Sequence, residues 1–403
     1  MLLLGGCGGG PKVGQDPLSD MQDSSKDPRD RAAAVDASWK QASGDSVRVA
    51  GVQRALKTMA WNASEPPALR VKALETLMTD SDAKVVEDAR EMGRLMLARE
   101  VSRQVVVYLC KTAGERGWTD YVPSIVRSYS RPSPVLIKEA ERAENIALRE
   151  LNPGKTVQEV AFEMFVNPPE MPAAYGVDWP QRLRADAWDV LARIDREGEL
   201  RRQLMDRITS VPQSDPLLAN MSACARDLHA MPIAGMELAW LTSLRDPAKK
   251  SNAAWWSEAS RAIARQMQEH SATMGDSRYL SLRHVEAIRW ASVHRASWLA
   301  MEREDLVGEL QSRMKSRRTT IRKWGATQAP YSELLKDTVG RLRWADLLTM
   351  LVIDDAMRSG GVATALGRQA ELDKKDTTTE YGGMVIARGE GGEARFEAVL
   401  FPP

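Results

Sequence analysis

From about Ala32 onward the apolar positions recur at helical spacing, not in strand-like alternation. The plainest case follows Glu65-Pro66-Pro67, where the prolines suit a helix start. Val71, Leu74, Leu77 and Met78 fall on one face, and Thr79-Asp80-Ser81-Asp82 then supplies a polar turn. Asp82 is placed to cap a second helix, whose inward stripe is Val85, Val86, Ala89, Met92 and Met96. Two such helices across a tight turn predict a helical hairpin.

The pattern repeats loosely. Val101 to Cys110 and Asp120 to Tyr129 predict a second pair. Ser133-Pro134 predicts a third start, with Ile137, Ala140, Ala147 and Leu151 inward, stopped by Asn152-Pro153-Gly154 and followed by a helix from Val157 to Val166. Starts near residues 68, 101 and 134 give a period within the range of α-solenoid units. The segment from Leu69 to Asp82, with Val85-Val86 after it, resembles a HEAT repeat, an apolar helix and an Asp-containing turn before a second helix. The expected organisation is therefore HEAT-like hairpins over 33–166, a proline-rich loop over 167–182 and a second helical region over 183–375. Its inward positions open with Leu183, Ala187, Val190, Leu191 and Ile194.

The last stretch, 376–403, switches to alternation around a Gly-rich turn and predicts a β-hairpin with strands near 382–388 and 394–401. One hairpin is marginal alone. Either it opens a domain continuing past Pro403, or it lies against the helices as a cap. Its first residues, Glu380-Tyr-Gly-Gly-Met-Val385, resemble the opening strand of JAMM-type zinc peptidases. The resemblance implies that Glu380 would act on a zinc-bound water, but the family's His-x-His and Ser-x-x-Asp do not follow here. The fold class is thus mainly α, a solenoid-like stack of helical hairpins with a short C-terminal β-hairpin.

Composition narrows function more than it assigns it. Lys plus Arg is 56 against 55 for Asp plus Glu, which argues against a protein that coats nucleic acid. Three cysteines exclude a disulfide scaffold and a four-Cys zinc site. His229, His270, His284 and His294 form no His-Glu-x-x-His motif, so they read as structural or solvent-facing. No metal or other cofactor is expected, zinc entering only with the JAMM-like alternative. Cys110 and Cys224 read as small buried hydrophobes. The abundant tryptophans, among them Trp255, Trp256, Trp290 and Trp298, are expected to fill space between helices. Arg313, Lys315, Arg317, Arg318, Arg322 and Lys323 form the most basic stretch. They suit contact with an anionic surface; the plainer reading is a solvated helix end.

The N-terminus Leu4-Gly5-Gly6-Cys7 resembles a bacterial lipobox, which implies a lipid on Cys7 and residues 1–7 as the remnant of a signal. Only three leucines precede the small pair, so this implies a start upstream of Met1; with a start at Met1 the chain is cytoplasmic. Residues 8–32, poor in apolar side chains, are expected to form a flexible tether. Together these features predict an envelope protein, lipid-anchored and helical, that scaffolds a protein partner. The alternative is the N-terminal portion of a JAMM-like zinc hydrolase.

Overall fold

Acidic and hydroxyl caps open many of the helices, each side chain taking an N–H that the first turn leaves without a partner. Asp27 accepts from Arg29 N at 2.8 Å, Asp82 from Lys84 N at 2.8 Å and Asp215 from Leu218 N at 3.0 Å, while Thr156 and Glu159 form a reciprocal capping box. In the computed structural model the described residues are 10–133, 137–195, 198–210, 213–274, 279–315, 338–376, 382–388 and 395–401. They fall into two units, residues 1–200 and 201–403. The fold is mainly α with a short C-terminal hairpin, as the periodicity predicts.

The first unit contains α1 (Pro17–Gln22), α2 (Pro28–Ala42), α3 (Ser46–Trp61), α4 (Pro67–Met78), α5 (Ala83–Leu97), α6 (Arg103–Arg116), α7 (Val122–Ser130), α8 (Ala143–Leu151), α9 (Val157–Val166) and α10 (Trp179–Ile194). Helices α2, α4, α6 and α8 pack side by side in one layer; α7 packs on α5, α8 and α10. Leu74, Leu77, Val85 and Ala89 are buried between them as expected, whereas Val86 is only half-buried. Gly93 is where α5 meets its neighbours. A Cβ there would come within 2.7 Å of the Tyr121 hydroxyl and 2.9 Å of Leu109, so a larger residue would force those side chains to shift.

Three boundaries differ from the sequence reading. The expected tether over 8–32 is ordered from Gly10: it holds α1 and the start of α2. Met21 is fully buried, and the Asp20 carboxylate takes both the Gly14 N–H and the Lys26 ammonium, so few apolar residues suffice. The helix expected from Ser133-Pro134 begins only at Ala143; residues 139–141 make a single 3-10 turn and Ala140 is exposed. Arg142, immediately before α8, is buried on the Tyr129 ring and fixes where the helix starts. The proline-rich loop ends at Asp178, since Trp179 opens α10 with Pro180 in its first turn. Nor does that loop divide the units: α10 belongs to the first, with Trp188 against Phe165 and Arg127 bonded to Asp186 at 2.6 Å.

The second unit begins within α11 (Glu199–Ser210) and continues through α12 (Pro216–Leu228), β1 (Ala230–Met231), α13 (Gly235–Leu244), α14 (Lys250–His270), β2 (Leu280–Ser281), α15 (Val285–His294), α16 (Ala296–Leu299), α17 (Arg303–Lys315), α18 (Trp344–Arg358), α19 (Gly360–Lys375), β3 (Gly383–Arg388) and β4 (Arg395–Leu400). Strands β1 and β2 are a two-residue parallel pair, reached through His229, which closes α12 at φ 43. Strands β3 and β4 pair antiparallel, Val385 opposite Ala398. This hairpin lies against helices of its own unit: the Phe396 ring sits 5.3 Å from Trp290, and Ser359 Oγ at the start of α19 donates to Phe396 O. Trp256, Trp290 and Trp298 are buried, so they fill the core.

Candidate interaction surface

Guanidinium groups organise the first unit. The last carbonyls of a helix have no partner within it and carry partial negative charge, which suits a cation. Arg31 Nε donates to Met21 O at the end of α1, and Arg70 Nε donates to Ala60 O near the end of α3. Arg131 reaches Ala98 O and Glu100 O just beyond α5; Arg193 reaches Tyr129 O and Ser130 O at the end of α7; Arg184 reaches Val166 O, the last of α9.

Arg31 and Arg70, with Arg103 after them, also step from one helix of the first layer to the next. Arg31, in the first turn of α2, is bidentate to Glu65 ahead of α4, at 2.7 and 2.8 Å. Arg70, in the first turn of α4, is bidentate to Glu100 ahead of α6, at 3.1 and 2.5 Å. Glu100 also accepts Val101 N and Ser102 N, so one carboxylate braces the turn that leads into α6 while it neutralises α4's arginine. Arg103, opening α6, holds both oxygens of Glu144 in α8 at 2.7 Å, and Arg142 adds a third bond at 3.0 Å. Burial works to raise the Glu144 carboxyl, but Arg103 and Arg142 outweigh it and hold it below the usual carboxylate range.

Where the last two steps meet, a cleft of about 230 Å³ opens, lined among others by Val101, Arg103, Ser128, Arg131, Arg142 and Glu144. The Tyr129 ring lies between two guanidinium groups, Arg142 and Arg193, each 4.6 Å from its centroid. Val101, which lines the cleft, is exposed, as are Val107 on α6 and Ile146 on α8, two helices that pack together. The arrangement presents fixed charges bordered by apolar side chains. Its one nearby thiol, Cys110, is fully buried, and burial first, then the Glu144 charge, pushes it well up, so it is no nucleophile.

The residues singled out from sequence are scattered by comparison. Cys7, Glu380, Arg317, Arg318, Arg322 and Lys323 lie outside the described residues. Of the basic stretch, Lys315 is exposed, but Arg313 is not available to an external anion. It bonds Glu309 at 2.7 Å, Asp355 at 2.6 Å and Asp354 at 3.2 Å, with its guanidinium over the Trp298 ring. The Arg313 cation is engaged by three carboxylates of its own unit.

Cys224, like Cys110, is a buried free thiol. His284 is buried, its Nε2 2.9 Å from Asp346 Oδ1 in the first turn of α18. Burial raises the Asp346 carboxyl, but His284, the Arg343 N–H and the charge of Arg283 together bring it down to about 2. Among the described residues no group of three or more His, Cys, Asp or Glu side chains is placed to hold a metal, and no helix is long and apolar enough to cross a membrane.

Sequence reasoning missed the arginine ladder because a lone Arg on a helix reads as solvated face. The signal was present as recurrence: an arginine in the first turn, then a glutamate just ahead of the next helix of the layer, at Arg31 and Glu65 and again at Arg70 and Glu100. The chain matches no family model, no curated protein and no solved structure.

Proposed function

We propose that this is a lipid-anchored cell-envelope protein, attached through Cys7, whose HEAT-like helix pairs scaffold a protein partner. The observation that carries the reading is the α6/α8 face. Its Arg103–Glu144 pair is part-buried, one guanidinium nitrogen reaching both carboxylate oxygens, and Val101, Val107 and Ile146 are exposed on or next to the helices that border a cleft bearing three arginines and two glutamates. A preordered surface of mixed charge with an apolar border suits a macromolecular partner, because little side-chain entropy remains to be lost on docking. The Leu-Gly-Gly-Cys sequence supports the anchor by resemblance.

Two measurements test the two halves. Expressed from an upstream start in its bacterium, the chain should partition into detergent with a lipid mass on Cys7, and Cys7→Ser should abolish both. An unmodified Cys7 in a chain starting at Met1 would refute the anchor. A photo-crosslinker at Val107 or Ile146 should capture one discrete protein in cells, and Arg103→Glu should remove that product. Failure of both positions to give a product rejects the face as the docking surface.

A further inference from the structure

We propose that the second unit carries a peripheral contact for an anionic phospholipid surface, centred on α13 and the turn that follows it. On α13, Met236 and Trp240 stand one turn apart and are exposed, 61% and 46%, while Leu238 and Leu241 face the core. Ser243 continues their stripe, and the Lys249 ammonium donates to its hydroxyl at 2.8 Å, so a cation ends the apolar row. Arg245 closes α13 with its guanidinium 4.8 Å from the Trp256 ring, and exposed Lys250 opens α14.

Arg245 also lines an open cleft of about 400 Å³, with Arg226, Thr209, Ser210, Ser222 and Gln213 among its other walls. Two acids lie nearby, Asp227 against Arg226 at 3.1 Å and Asp246 3.9 Å from Lys249. Against them stand Arg226, Arg245, Lys249 and Lys250, so the local balance is positive. Two guanidinium groups and several hydroxyls around an open polar cleft match a phosphodiester headgroup. A tryptophan and a methionine beside basic side chains match the boundary between headgroups and acyl chains. Arg245 ends the same helix that carries Trp240 and lines the cleft, and the charge complementarity selects an anionic bilayer as the occupant.

The contact does not depend on a lipid at Cys7. Purified full-length chain, unlipidated, should therefore sediment with phosphatidylcholine vesicles that contain phosphatidylglycerol and not with phosphatidylcholine alone. Lys249→Gln should weaken partitioning about fivefold, the effect of one basic residue at such a surface, and raised salt should shrink that difference. Trp240→Ser should weaken it at least as much, whereas Ile353→Ser, an exposed apolar residue on α18, should leave it unchanged. All three positions are on the surface, and an unaltered melting curve confirms that each variant folds. Equal binding to neutral vesicles, an equal loss in Ile353→Ser, or no loss in Lys249→Gln and Trp240→Ser overturns the assignment. Displacement from vesicles by millimolar glycerol phosphate at constant ionic strength would mean a soluble phosphate ligand and overturns the bilayer as occupant. Cys7→Ser leaves vesicle binding intact, so failure of the anchor and failure of this contact are read separately.

Discussion

In the first unit, the buried Arg31 and Arg70 tie α2 and α4 each to the end of an earlier helix and to a carboxylate ahead of a later one; in the second, indole rings and a histidine–aspartate pair lie between helices. Arg70 and Glu100 are each almost fully buried, and every bond they make is directional. Trp290, by contrast, touches Phe396, Trp298 and His294 at ring centroids of 5.1 to 6.3 Å, contacts that tolerate small shifts. Bidentate ion pairs fix the spacing of helices along the first unit, whereas ring packing fills volume without fixing register. Two successive steps, Arg31 to Glu65 and Arg70 to Glu100, share that geometry.

That contrast is broken most directly at Arg70. Arg70→Met leaves Glu100 buried with only its two backbone donors, and the first unit should lose about 3–5 kcal/mol, the usual consequence of removing one partner of a buried pair. The double variant Arg70→Met with Glu100→Met should recover part of that loss in chemical denaturation. A single variant as stable as the parent would show that the ladder is decoration.

A smaller effect separates the units by pH. The Asp346 carboxyl titrates near 2 in the folded protein, below its ordinary value of 3.8. Its contribution is complete above about pH 4 and is lost as pH falls through about 2, an order-of-magnitude gain of about 2 kcal/mol. Asp346→Asn should remove that contribution at neutral pH and flatten the second unit's acid response between those values. An unchanged acid profile would contradict the assignment to His284 and its neighbours.

The smallest effect is local. Asp82→Ala removes the acceptor for Lys84 N at the start of α5 and should cost about 1 kcal/mol. Exchange of the amides in that first turn should rise, and the Arg70–Glu100 step should be unaffected. Coupling between the two would mean that caps and ladder act as one device.

Much of the helical layout was legible in the chain. Asp82, the α9 boundaries, and Leu74 with its neighbours followed from periodicity and cap chemistry, since those signals are local and depend on few residues. What escaped was whatever depends on a distant partner. Residues 17–32 look like tether by composition, yet Met21 has a seat and Arg31 has Glu65. Arg313 looks like surface charge, yet three carboxylates from two helices converge on it. The start of α8 was misread because Arg142 is polar in sequence and interior in the fold. A charged residue's fate is settled by groups remote in sequence, and one chain read alone does not reveal them.

The shortest helix of the first unit has a consequence for assembly. Arg31 meets Met21 O in α1 with the same atom, across the same ten residues, as Arg70 meets Ala60 O in α3. Helix α1 thus stands in for the closing helix of a preceding pair, and does so with six residues. Repeating structures left bare at a terminus offer the next copy a ready template, and growth by addition follows. Here the template is occupied: Met21 fills the seat, Arg31 is satisfied, and the Lys26–Asp20 pair ties the chain across it. Six residues thus deny that face of α2 to a second copy of the chain.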